Sequence, residues 1–305
     1  RADTAADARI SAGLNAAQEA IQRGDAAAFA AARAQVWTAL LAGSYAVVQQ
    51  AVQQENGELA QRCLPVREFR TATRFARPAA DATVAIDHLV AKTLTPAETQ
   101  LALSADLLDT YQARLNEVLA DLVNAENNGY AMRLAEHAAL AKGYFLILAP
   151  AYAEQRGATE LQSAQQAFAA LLTAAIDGQP IASVLTNVET ALHNFRAAPL
   201  SADDQARRAG QLLRYLSLVP VEYGRGVVNG QVNRALEIQE AITFRDGAAA
   251  AFADLENLLD ARDPQQTAQV AQTLKQLETQ LLATMAQTEV TAPEAVQTSV
   301  EQLIA

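Results

Sequence analysis

Glu237-Ile-Gln-Glu240 places two carboxylates three residues apart, which on a helix makes their side chains neighbours on one face. Such a pair can share one hard cation, and metal centres in helical bundles are built from carboxylates on facing helices. A third carboxylate, Glu222, stands just before Gly224, Gly226 and Gly230. Those glycines give the backbone freedom that other residues lack. Glu222 can therefore supply a third oxygen, with Tyr223 and Arg225 placed to close the site. The competing reading is plain: glutamate is common on exposed helix faces without any ligand.

A second constellation is Arg67, Arg70, Arg74 and Arg77, spaced 3, 4 and 3, with Glu68 beside the first. On a helix that spacing draws an arginine stripe down one face. The stripe either binds an anion, such as a carboxylate chelate or a phosphate, or pairs with acidic helices of the same chain. Its partners in that case include the Glu237 face, whose carboxylates would then be less available to a metal. The histidines are isolated: Glu189 and His193 stand at i and i+4, and Glu136 adjoins His137, but neither forms H-E-x-x-H. Cys63 is the single cysteine, which excludes an intrachain disulfide and a thiolate metal cluster. Neither a nucleophile elbow, a phosphate-binding loop nor a dinucleotide fingerprint occurs, so no catalytic activity and no organic cofactor is expected.

The elements that must position these groups read as helices. The chain of 305 residues is 51% hydrophobic but only 5% aromatic, a composition suited to close helix-on-helix packing. Net charge is −11, which weighs against nucleic acid as a partner because phosphate binding needs a basic surface. Helix starts are marked by Asp25, by Thr95-Pro96-Ala97-Glu98, by Ser201 with Asp204, and by Asp263-Pro264. Another helix is expected between Pro65 and Pro78. The stretch from Val219 to Phe244 reads as a glycine-rich break between helices 201–218 and 232–260. We expect an all-α fold of long antiparallel helices, in one elongated bundle or two adjoining ones. Gly157 marks the boundary if there are two, giving 1–157 and 158–305. No run approaches the roughly 18 apolar residues of a membrane span. The start at Arg1 fits either a removed leader or a trimmed chain.

Two segments carry a family resemblance. REFRTATRFARPAADAT (Arg67 to Thr83) with DLLDTYQARL (Asp106 to Leu115) is one; LVPVEYGRGVVNGQV with EIQEAITFRDG, between Leu218 and Gly247, is the other. Together they resemble the extracytoplasmic amino-terminal region of bacterial iron permeases, relatives of the high-affinity iron transporters. The resemblance implies a helical domain outside the cytoplasmic membrane, in the periplasm or cell envelope. It implies a part in iron uptake, with a membrane permease or an iron-delivery protein as partner. The permease part of that family carries an arginine-glutamate-x-x-glutamate motif held to bind iron. Arg67-Glu68-Phe69-Arg70-Thr71 begins like it but ends in threonine, and Glu237 to Glu240 lacks the arginine directly ahead. Neither segment inherits the motif's role. Iron ion is the expected ligand of Glu222, Glu237 and Glu240, since carboxylate oxygens suit iron, though they equally suit manganese, calcium or magnesium. The alternative is an interaction module of the cell envelope without a metal.

Overall fold

A computed structural model describes residues 4–69 and 81–304. Among them are twelve helices and one two-stranded hairpin, the all-α architecture expected. The chain divides into two compact units, Arg1–Pro199 and Leu200–Ala305. The boundary therefore falls well beyond Gly157. Gly157, at φ +88°, turns the chain directly from one helix of the first unit into the next. The helices on either side of it share a core, because Phe145 stacks on Phe168 with ring centroids 4.5 Å apart.

The first unit contains α1 (Thr4–Arg23), α2 (Ala26–Gln53), α3 (Gly57–Cys63), α4 (Ala82–Val90), α5 (Pro96–Asn127), α6 (Ala131–Arg156), α7 (Ala158–Ile176) and α8 (Ala182–Leu192). Local chemistry sets the starts. Asp25 accepts from the Ala28 amide, and Thr95 with Glu98 closes a reciprocal capping box at α5, each satisfying amides that a helix start leaves open. Helix α6 is apolar around most of its circumference and is accordingly buried, with Ala138, Phe145, Leu148 and Tyr152 among its core residues. Small residues let α2 come close. A Cβ at Gly143 would lie 2.0 Å from Thr38 Oγ1, so this glycine is required by space. Gly143→Ala is expected to destabilise the unit by about 1–3 kcal/mol through overpacking, read as a lower urea midpoint with an unchanged slope.

Asp106 of α5 accepts a 2.8 Å hydrogen bond from the Ala82 amide at the start of α4. Burial raises its carboxyl above the ordinary carboxylate value, against the opposing pull of that amide and of Arg67. A raised folded-state value means the unfolded chain gives up the proton first. The contribution of Asp106 is therefore full below the ordinary carboxylate range and falls as pH rises through its folded value. Asp106→Asn, which keeps an acceptor for Ala82, should remove that slope. Urea stability of both proteins across mildly acidic pH measures it; parallel curves would refute the assignment.

The second unit contains α9 (Ala202–Gly226), β1 (Val227–Val228), β2 (Gln231–Val232), α10 (Ala235–Asp260), α11 (Pro264–Met285) and α12 (Pro293–Ile304). Leu216, Val219, Tyr223, Ile238, Leu277, Leu281 and Val296 form its core. The long helices α9 and α10 are clamped by the ion pair of fully buried Arg208 with Asp254 at 2.7 Å. Arg245 of α10 reaches Glu278 of α11 at 2.5 Å. Helix α9 does not stop near residue 218. It runs through Pro220 because its buried stripe continues, with Leu216, Val219, Tyr223 and Gly226 at helical spacing. One proline removes one hydrogen-bond donor, which this packed face tolerates.

The expected glycine-rich break thus contracts to a tight hairpin. Val227 pairs with Val232 and Val228 with Gln231. Asn229 and Gly230 take φ +52° and +72°, the doubly left-handed pair that a two-residue hairpin turn demands.

Candidate metal centre

Glu222 sits in the last turn of α9, while Glu237 and Glu240 occupy the first two turns of α10. The hairpin folds α10 back along α9, and two features set how closely they approach. A Cβ on Gly226 would stand 2.4 Å from Ile238 Cδ1, so glycine alone permits this contact. The Gly226 carbonyl also accepts from the Asn233 and Arg234 amides at 2.9 and 3.2 Å, which binds the start of α10 to the end of α9. The result is convergence. One carboxylate oxygen from each of Glu222, Glu237 and Glu240 lies within 4.8 Å of the others.

The three differ in setting. Glu222 is buried, Glu237 is half-buried and Glu240 is exposed. Arg225 Nη1 donates to both Glu222 oxygens, at 3.0 and 2.8 Å, and the arginine itself is largely exposed. Arg234 approaches Glu237 only to 3.9 Å. Glu237 lies in the first turn of α10, where the positive end of the helix dipole favours a carboxylate. Among the described residues no arginine holds Glu237 or Glu240 in a bidentate grip. The cluster thus opens toward solvent with more negative charge than its own arginines neutralise, an arrangement suited to a hard cation.

Tyr223 does not close this site. It points one helix position away, into the core, and its hydroxyl meets Thr284 Oγ1 at 2.8 Å and donates to the Thr291 carbonyl at 2.7 Å. Burial raises its phenol, opposed by those hydrogen bonds. Its contribution is indirect, since it anchors the turn of α9 that carries Glu222.

The arginine constellation fares differently. Residues Val66–Phe69 are not helical, so Arg67 is not on a helical stripe. Arg70, Arg74 and Arg77 lie outside the described residues. Arg67 donates to Thr83 Oγ1 at 3.0 Å and stacks 4.8 Å over the Phe69 ring, so its partners here belong to the first unit. Its neighbour Glu68 makes the wider set of contacts. Glu68 accepts from Tyr144 Oη at 2.8 Å and from Trp37 Nε1 at 2.9 Å, with Arg114 Nε 3.7 Å away. It ties the non-helical segment to α2, α5 and α6. Burial, reinforced by Glu68, raises the Tyr144 phenol. No single-sequence signal marks this network, because its members are scattered along the chain. His193 is not joined to Glu189 in any three-residue metal cluster among the described residues.

Residues 1–191 match the family model described as iron permease FTR1 N-terminal domain. The chain belongs to this family. Residues 198–305 match a second model, the iron permease-associated 4-helix bundle domain, a range that contains α9–α12. The matched ranges follow the division of the structure at Pro199–Leu200. The three carboxylates lie in the permease-associated bundle, whereas Arg67 and Glu68 lie in the iron permease amino-terminal domain. Searches of curated proteins and of solved structures returned no match. No helix among the described residues is long and apolar enough to cross a membrane.

Proposed function

We propose that this iron permease family domain works in iron uptake outside the cytoplasmic membrane, where its second unit captures iron at Glu222, Glu237 and Glu240 for transfer to a membrane permease. Family membership supports the role in iron uptake. The observation that supports the site is the convergence of three carboxylate oxygens within 4.8 Å at the α9–α10 corner. Iron is cargo here. A buried ligand, a half-buried one and an exposed one form a graded entrance: Glu240 meets the ion first and Glu222 completes the set. The exposed Arg225 swings aside as the cation takes over neutralisation of Glu222. Exposure and all-oxygen ligation suit capture followed by release. The domain performs no catalysis in this reading.

Iron K-edge absorption of the iron-loaded protein tests the ligand set. The expected first shell contains oxygen alone, supplied by carboxylates and water at hard-cation distances. A shell containing sulfur or two imidazoles would overturn the assignment. A second reading draws on the Arg225–Glu222 ion pair, in which Nη1 is shared between both carboxylate oxygens: the corner is a structural ion-pair cluster of an envelope interaction module. Under it, iron does not bind at all.

A further inference from the structure

We propose that a cleft in the first unit, between the starts of α2 and α6, binds a small amphipathic carboxylate. The cleft encloses about 530 Å³, within the range of small-molecule sites. Its lining is mostly apolar, joined by two arginines and one glutamate. Phe29 of α2, Tyr130 at the N-cap of α6 and Met132 in the first turn of α6 supply the walls. These three large side chains are 38%, 60% and 55% exposed. Apolar surface clustered in one concavity is characteristic of a binding site, whereas scattered exposed residues are not.

These charged residues give the cleft its sign. Glu136 is mostly buried and bridges two arginines, with Arg33 on Oε1 and Arg133 on Oε2 at 3.1 Å. Each guanidinium uses one nitrogen on Glu136 and keeps further N–H donors for a second acceptor. Both arginines are about two-thirds exposed. Two positive charges against one negative leave a local excess of one, on a chain whose net charge is −11. A guanidinium pair held by one glutamate suits the planar oxygens of a carboxylate. The apolar lining beside it suits a hydrocarbon or aromatic body. A bare metal cation would meet the wrong charge, and a small hydrophilic anion would leave the walls in water. The ligand must carry both features.

Decanoate, decanol and acetate separate these contributions. Calorimetric titration of the whole chain, below the micellar concentration of decanoate, is expected to show one saturable decanoate site. Decanol should bind at least tenfold more weakly, and acetate should show no saturable binding. Arg133→Gln and Arg33→Gln alter exposed side chains and should each weaken decanoate about tenfold, with circular dichroism unchanged. Met132→Glu should abolish binding by placing a charge in the wall. Equal affinity for decanol and decanoate would overturn the proposal, because the guanidiniums would then recognise nothing. Absence of a saturable site, or decanoate affinity unchanged in both arginine variants, would overturn it equally.

Discussion

Arg208→Ala is expected to destabilise the Leu200–Ala305 unit by about 3–5 kcal/mol, the range for removing one partner of a buried ion pair. Arg208 is 1% exposed, reaches Asp254 at 2.7 Å and donates to Gln211 at 2.8 Å. Truncation takes the Arg208 charge away from the mostly buried Asp254 carboxylate and also opens a cavity of arginine size. Both effects act at the contact between α9 and α10. A second variant separates charge from packing. Arg208→Met with Asp254→Leu removes both charges and fills most of the volume, so it should recover much of the loss. Urea unfolding of the three proteins measures this. A single variant within about 0.5 kcal/mol of wild type would show that the pair contributes little. The same helix pair aligns Glu222 with Glu237 and Glu240, so Arg208→Ala should weaken iron binding as well.

The second large effect is expected at the carboxylates, and its sign is diagnostic. Glu237→Gln with Glu240→Gln should lower iron affinity at least a hundredfold, about 2.7 kcal/mol of binding free energy. The same double variant should leave metal-free stability unchanged or slightly higher. Three carboxylates gathered within 4.8 Å repel one another, and Arg225 together with the distant Arg234 offsets this only in part. Neutralising two of them relieves the repulsion. A cluster kept for structure would behave in the opposite way, losing stability with its ion pairs. Urea midpoints in chelator-treated buffer distinguish the two cases, and a clear loss of stability would favour the structural role.

Much of this organisation is legible in the residues. Asp25, Thr95 with Glu98, Ser201 and Asp263 announce helix starts because capping is local chemistry, and the structure shows each of them capping. The convergence of Glu222 with Glu237 and Glu240 could be anticipated because a tight connection must fold α10 back on α9. The course of that connection was harder to read. Pro220 and three glycines suggest an early stop, yet the buried stripe of α9 continues to Gly226. Val-Val-Asn-Gly-Gln-Val is a hairpin signal in its own right, overshadowed by the glycines around it. Tyr223 shows the limit of adjacency along the chain. Next to Glu222 in sequence, it faces about 100° away on the helix and enters the core. The Glu136 bridge between Arg33 and Arg133, and the Glu68 network, join residues from distant helices. Such contacts depend on how the bundle packs, which periodicity alone does not specify.

The most direct test of the central claim is calorimetric titration of the chain with ferrous and with ferric iron, under controlled redox conditions. Wild type, Glu222→Gln and the Glu237→Gln/Glu240→Gln protein should be compared. One saturable iron site is expected in wild type, weakened in Glu222→Gln and lost in the double variant, with the fold of all three intact. Iron binding of equal affinity in wild type and the double variant, or no iron binding to wild type, would contradict that claim.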